Sequence, residues 1–302
     1  MKVSTAVSKY IAWKRQLGFR FKSDAKYLSS FSFRFAEQSV VDLRLPQVAK
    51  FLNSPGSALS TRHTNYGILM RFFQYLERRG EIQNVPLPVK PPRFENNFVP
   101  YIYSRVEIRK LLSDRVYRGC GRRTITAPET LRALLLFVYG SGLSIGEAIT
   151  LKRRNLDFRR RTIAVSRHDD QEERMIPMGK DVHKLLARHL ASPCTVEGPY
   201  VFTARSGKPL RKSILREDFK LIRQSAGICR PGGPWNQPRM HDLRYTFAVH
   251  RITSWYKQGV DVERMLPALA VYMGHKVLRP LQRYLSLTPE HFRQQIAFMK
   301  HR

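Results

Sequence analysis

Acidic side chains are scarce in this sequence: 23 Asp and Glu stand against 54 Lys and Arg in 302 residues, a formal net charge of +31. A chain so unbalanced repels itself when compact unless a polyanion neutralises part of the charge. Cysteine is scarcer still. Cys120, Cys194 and Cys229 lie far apart with no Cys-x-x-Cys pair, which argues against a disulfide framework or a zinc ribbon and fits a reducing compartment. Long apolar runs are missing too: no stretch approaches the roughly 18 residues of a membrane span. The opening MKVSTAVSKYIAWKRQLGFRF is broken throughout by Lys and Arg, unlike a signal peptide. No Walker motif is present, and no nucleotide, metal or other cofactor is expected. The expected protein is soluble, cytoplasmic and free of any membrane partner.

What is present is cation and ordinary core. Hydrophobic residues make up 42% of the chain, enough to bury a core, and the length suggests two domains. The basic residues run along the whole sequence rather than collecting in a tail or one amphipathic helix. Nucleic acid is therefore the default partner, because each phosphate neutralised by Lys or Arg releases a condensed counterion. The spread suits a protein wrapping a duplex better than one lying on an anionic membrane.

The first 85 residues read as a four-helix module. Val7, Tyr10, Ile11 and Trp13, then Tyr27, Phe31, Phe33 and Phe35, recur at rough three- to four-residue spacing. A short helix starts near Leu45, where Pro46 is tolerated in the first turn, and Ser60 or Thr61 is placed to cap the next. Residues 86–103 form a Pro-rich linker, with four prolines between Pro86 and Pro92 that cannot continue a helix. Beyond it, Ser104 and Glu107 read as a capping box, and Thr130–Tyr139 as an apolar helix broken at Gly140-Ser141-Gly142. Thr162–Ser166 and Arg174–Met178 read as a β-hairpin, with helices dominant from Asp181 onward. The expected fold class is mostly α with a small β-sheet, an α+β arrangement.

Three segments carry chemistry: His241-Asp242-Leu243-Arg244-Tyr245-Thr246-Phe247-Ala248, Tyr272-Met273-Gly274-His275, and Arg283-Tyr284-Leu285. His241 and Arg244, three apart, share a helix face and can reach one phosphate. Arginine offers a planar fork to phosphate oxygens, histidine shuttles a proton near neutral pH, and a tyrosine oxygen can form a covalent link to phosphorus.

In order and spacing these segments resemble the tyrosine recombinases, the phage-integrase family of site-specific DNA recombinases, whose pattern is His-x-x-Arg, then Leu-Gly-His, then a nucleophilic Tyr nine residues later. Here His275 plus nine is Tyr284. Gly140 to Asp157, GSGLSIGEAITLKRRNLD, looks like the family's TGLR-x-x-E-x-x-x-L-x-x-x-D segment, with Glu147 at the acidic position, Leu151 at the leucine and Asn155 where the final Asp falls. Glu173-Arg174-Met175-Ile176-Pro177 is similar to its ERVVP strand, and the look is closest to the transposon-borne branch.

The resemblance implies several expectations. A helical, SAM-like core-binding domain (1–85) and a catalytic domain with a C-terminal tail (104–302) form a C-shaped clamp on double-stranded DNA. Copies of the chain or sister recombinases meet in a tetrameric synapse associated with the nucleoid. Arg244, His241 and His275 hold the scissile phosphate, Tyr284 attacks to give a 3′-phosphotyrosine, and His241 serves as general base. Arg167, Lys208, Arg211 and Lys212 are expected to meet DNA. The tail, through Phe292, Ile296 and Phe298, docks on a neighbouring protomer or packs on its own.

Two positions depart from the family pattern. Ser144 stands where the first catalytic arginine belongs, and the hairpin lysine that protonates the leaving oxygen has no counterpart; Asp169 aligns with it and His168 is the candidate acid. Three readings of Ser144 stay open: an introduced change, a natural enzyme borrowing a cation such as Lys152 or Arg153, or a non-catalytic accessory protein of a mobile element kept for DNA binding. A type IB topoisomerase and an RNA-binding module are the other rivals; the second lacks any RNP, KH or double-stranded-RNA signature.

Overall fold

Aromatic spacing decides how the first helices pack. In the computed structural model, which describes residues 1–93, 98–120, 123–166, 173–193, 195–233, 236–275 and 279–289, α1 (Val3–Gln16) buries Val3, Ala6, Val7 and Tyr10 along one stripe. α2 (Lys22–Arg34), α3 (Leu45–Leu52) and α4 (Leu59–Arg78) add Phe31, Val48, Leu69, Phe72, Phe73 and Leu76. Phe31 is the hub, with ring centroids 4.9 Å from Phe35, 5.2 Å from Phe51 and 6.0 Å from Phe73. Phe33, read above with the apolar set, is 89% exposed. Two residues after Phe31 it has turned some 200° round the helix, away from the core. α4 begins at Leu59 after Ala58, with no side-chain cap, so neither Ser60 nor Thr61 plays that part.

The chain divides into two compact units, Met1–Phe98 and Val99–Arg302. The Pro-rich segment is shared out rather than free. Ile82 and Leu87 sit in the first unit's core, and the Pro88 carbonyl accepts from Tyr66 Oη at 2.7 Å. At the other end, Tyr103 is fully buried in the second unit, its amide donating to Thr246 Oγ1 at 3.0 Å.

In the second unit, α5 (Arg105–Leu111) opens with the expected Ser104–Glu107 capping box, and α6 (Asp114–Cys120) follows. α7 (Pro128–Ser141) is buried nearly all round by Leu131, Leu134, Leu135, Phe137 and Val138, as a central helix must be. It packs on α6, on α8 (Ile145–Thr150), on α9 (Lys180–Leu190) and on α11 (Asp242–Lys257). A three-stranded antiparallel sheet has the order β1 (Leu156–Asp157), β2 (Thr162–Ser166), β3 (Glu173–Pro177). The β2–β3 hairpin pairs Ile163 with Ile176 and Val165 with Arg174, so its buried face is Ile163, Val165 and Ile176. α10 (Lys212–Ser225) closes the main core through Leu215, Phe219 and Ile222. α11, α12 (Val262–Met273) and α13 (Arg279–Ser286) share a satellite core of Phe247, Ile252, Leu269, Met273 and Tyr284. Among the described residues no helix is long and apolar enough to cross a membrane.

Candidate active site

α7 ends at Gly142, whose φ of +64° is the left-handed turn that suits glycine. A methyl group there would meet Phe247 Cδ1 at 2.2 Å, so the turn needs glycine for space as well as for conformation. Two residues on, Ser144 is the N-cap of α8. Its Oγ accepts from the Glu147 amide at 3.2 Å, and Glu147 Oε2 accepts from the Ser144 amide at 2.8 Å. The serine at the position of the expected arginine is thus one half of a capping box.

Glu147 gathers two cations. Its Oε1 lies 2.7 Å from Arg174 Nη1 and its Oε2 3.4 Å from Arg244 Nη1, with only 10% of the side chain exposed. Burial works to raise this carboxyl. The Arg174 ion pair and the Ser144 hydrogen bonds outweigh it and hold the pKa below the usual glutamate value. Arg174 also donates through Nε to the Tyr272 carbonyl at 3.1 Å, tying β3 to the end of α12.

Arg244, in the first turn of α11, is buried and clasped by two helix ends. Nη1 donates to the Gly142 carbonyl at 3.0 Å and Nη2 to the Met273 carbonyl at 2.5 Å. Both acceptors lie at helix C-termini, where the dipole favours a cation. The same Nη2 is 3.5 Å from His275 Nε2, which is itself 3.1 Å from Tyr284 Oη. His275 is placed by Gly274, the left-handed cap of α12 at φ +72°. Because a guanidinium only donates, its contact requires a lone pair on Nε2. The shorter phenol contact points at the same lone pair.

Tyr284 is 3% exposed. Burial raises its phenol above the usual value, with Arg244 opposing, so the neutral phenol is the resting form. His241, at the N-cap of α11, keeps an exposed face. Partial desolvation and then the cations Arg244 and Arg239 hold it below the ordinary imidazole value, with Lys212 adding to them and Asp242 opposing. The Tyr245 ring stands beside both, 5.6 Å from His241 and 5.4 Å from Tyr284 between centroids. The phenol meets His275 and also the Arg244 guanidinium, and among the described residues no hydrogen bond joins it to His241.

Residues 120–291, more than half of the chain, match the model of the Phage integrase family. The chain belongs to that family, the tyrosine recombinases. The Sinorhizobium fredii protein y4rB, which carries the name integrase/recombinase, is 27% identical over 310 residues, covering 98% of this chain and 96% of that one. Among solved structures, the Tn1549 transposon integrase in complex with circular intermediate DNA has a TM-score of 0.69 at 18% identity, over 98% of this chain and 99% of that one. A lambda integrase tetramer bound to a Holliday junction has a TM-score of 0.65 at 15% identity, over 92% and 78%.

Of the family's expected positions, Ser144, Glu147, Arg244, His275 and Tyr284 are joined by direct contacts, and His241 stands at their edge. Asn155 keeps a local role, its Oδ1 accepting from the Lys152 amide at 3.2 Å. Arg153 donates through Nη2 to the Val196 carbonyl at 3.0 Å. Lys208, Arg211 and Lys212 are all exposed around the start of α10. Arg167 and His168, with the hairpin tip, and Phe292, Ile296 and Phe298 of the tail lie outside the described residues. A concavity of about 600 Å³ lined by Asp114, Arg132, Arg188 and His189 holds none of these groups. Sequence reasoning missed Arg174 as a partner of the site. Its place in the strand motif was visible, but its reach to Glu147 depends on the β3–α12 packing.

Proposed function

We propose that this chain is a site-specific DNA recombinase that cuts and rejoins duplex DNA through a 3′-phosphotyrosine on Tyr284. The observation that carries this reading is the run Arg244 Nη2–His275 Nε2–Tyr284 Oη, at 3.5 and 3.1 Å, assembled from three separate elements. Duplex DNA and a synapse of several protomers fit the complexes in which the Tn1549 and lambda integrases were solved, and the +31 charge supplies the counterion-release term for binding.

In this mechanism the scissile phosphate sits against Arg244, with His241 at its exposed flank. The phenol proton passes to His275 Nε2 as Tyr284 Oη bonds to phosphorus. The bond from phosphorus to the 5′ oxygen breaks as that oxygen takes up a proton, from His168 by the sequence reading or from solvent water, and the freed hydroxyl later attacks the partner strand's phosphotyrosine to restore a phosphodiester and return the Tyr284 phenol. Bond count is conserved, so no energy source is required. With Ser144 in place of an arginine, cleavage is expected to be slow.

The test uses a duplex selected from a random pool by binding, then nicked near its centre so that the cleaved strand is lost. A protein–DNA adduct that survives a denaturing gel and vanishes in Tyr284→Phe supports the recombinase. No adduct from the natural chain or from Ser144→Arg would leave the non-catalytic DNA-binding reading that Ser144 favours.

A further inference from the structure

We propose that Lys212 is a catalytic residue, its ammonium binding the non-bridging oxygen of the scissile phosphate on the side that Ser144 leaves without an arginine. The inference rests on the recombinase reading above and names the group that completes its charge.

Small residues open the space. Ser144 is short and committed to its cap, and Gly146, one turn into α8, has no side chain. A methyl group built on Gly146 would stand 3.0 Å from Lys212 Nζ and 3.8 Å from Ser144 Oγ. The lysine head therefore lies over the start of α8, beside the serine that replaces the arginine. Its field reaches His241, where it helps disfavour the imidazolium, so the ammonium also faces the exposed flank of the site.

Three of the other cations nearby are tied to protein acceptors. Arg174 and Arg244 share Glu147, and Arg153 donates to Val196. Lys212 is exposed, and among the described residues no carboxylate pairs with it. Its place in the first turn of α10 adds the positive end of a helix dipole to its own charge. An ammonium is a mobile point charge rather than a rigid fork, which suits a group reaching across from another helix to meet a phosphate oxygen. The phenol proton still goes to His275, and Lys212 neutralises charge on the phosphoryl oxygens as the Tyr284 bond forms and the 5′ oxygen departs with a proton from the acid or water named above.

The experiment measures the rate of adduct formation on the nicked, binding-selected duplex, with DNA affinity measured separately. Lys212→Ala is expected to slow the adduct by about 10²–10³, the usual loss for one transition-state donor, while affinity falls by less than about tenfold. Lys212→Arg keeps most of the rate. Arg216→Ala, an exposed change one turn further along α10, leaves it unaltered. Ser144→Arg combined with Lys212→Ala recovers the rate, because the two cations serve one oxygen. If the natural chain forms a Tyr284-dependent adduct and Lys212→Ala forms it equally fast, the Lys212 assignment fails while the recombinase stands. Loss in Lys212→Ala that neither Lys212→Arg nor Ser144→Arg repairs marks a structural prop and also overturns it. If the natural chain and Ser144→Arg both form no adduct, the recombinase reading falls and takes the lysine with it.

Discussion

Glu147 shows how a single carboxylate can hold a site it does not serve chemically. It neutralises Arg174 and Arg244 and accepts from the Ser144 amide at the same time, so its removal strands two arginines in a nearly buried place. Glu147→Gln is expected to destabilise the second unit by about 3–5 kcal/mol at pH 7, the usual result of breaking a buried pair. The pH dependence has a definite sign. A carboxyl held below its ordinary value stabilises the fold fully above the unfolded pKa, about 4.3, and loses that contribution as pH falls through its own lower pKa. The gap in urea midpoint between the natural chain and Glu147→Gln should therefore be wide at pH 7 and close in acid. A constant gap at all pH values would count against the charge argument.

Among the elements, the α7–α8 turn joins the core to the chemistry most directly. Gly142→Ala is expected to cost about 2–4 kcal/mol, combining the left-handed backbone penalty with crowding against Phe247, measured as a lower thermal midpoint. Activity should fall further than stability, since the Gly142 carbonyl orients Arg244. Much at this scale was legible in the sequence. The Ser104 capping box, the apolar α7 and the hairpin rest on local rules of capping, periodicity and register, and the His275-to-Tyr284 spacing on the resemblance to the family's pattern. What escaped needed tertiary packing. Phe33 fits an apolar count but faces out, because periodicity read loosely does not fix the angle round a helix. β1 has only two residues and no pattern of its own. The resemblance pointed to His241 as general base, whereas the phenol contact described is to His275; spacing alone does not show which histidine the phenol meets. Ser144 was legible only as the place of an absent arginine, yet its hydroxyl caps α8, so Ser144→Arg gives up that cap when it adds the charge.

For the molecule as a whole, the +31 charge predicts a steep response to salt. If 6–10 phosphates are contacted, affinity for the selected duplex should fall by about 10³–10⁵ between roughly 50 and 200 mM salt. A nearly flat response would contradict a polyanion as the main partner. Each unit buries its own core, and the groups of the proposed chemistry lie in the second, where they follow the order of the chain. Ser144, Glu147, Arg174, Lys212, Arg244 and His275 all precede Tyr284, which arrives on α13. A polypeptide interrupted between His275 and Tyr284 would carry every group proposed above to hold the phosphate and would lack the proposed nucleophile. Premature termination of translation in that short interval would thus yield a competitor for the intact protein's sites, a poison subunit encoded by the gene's own reading order.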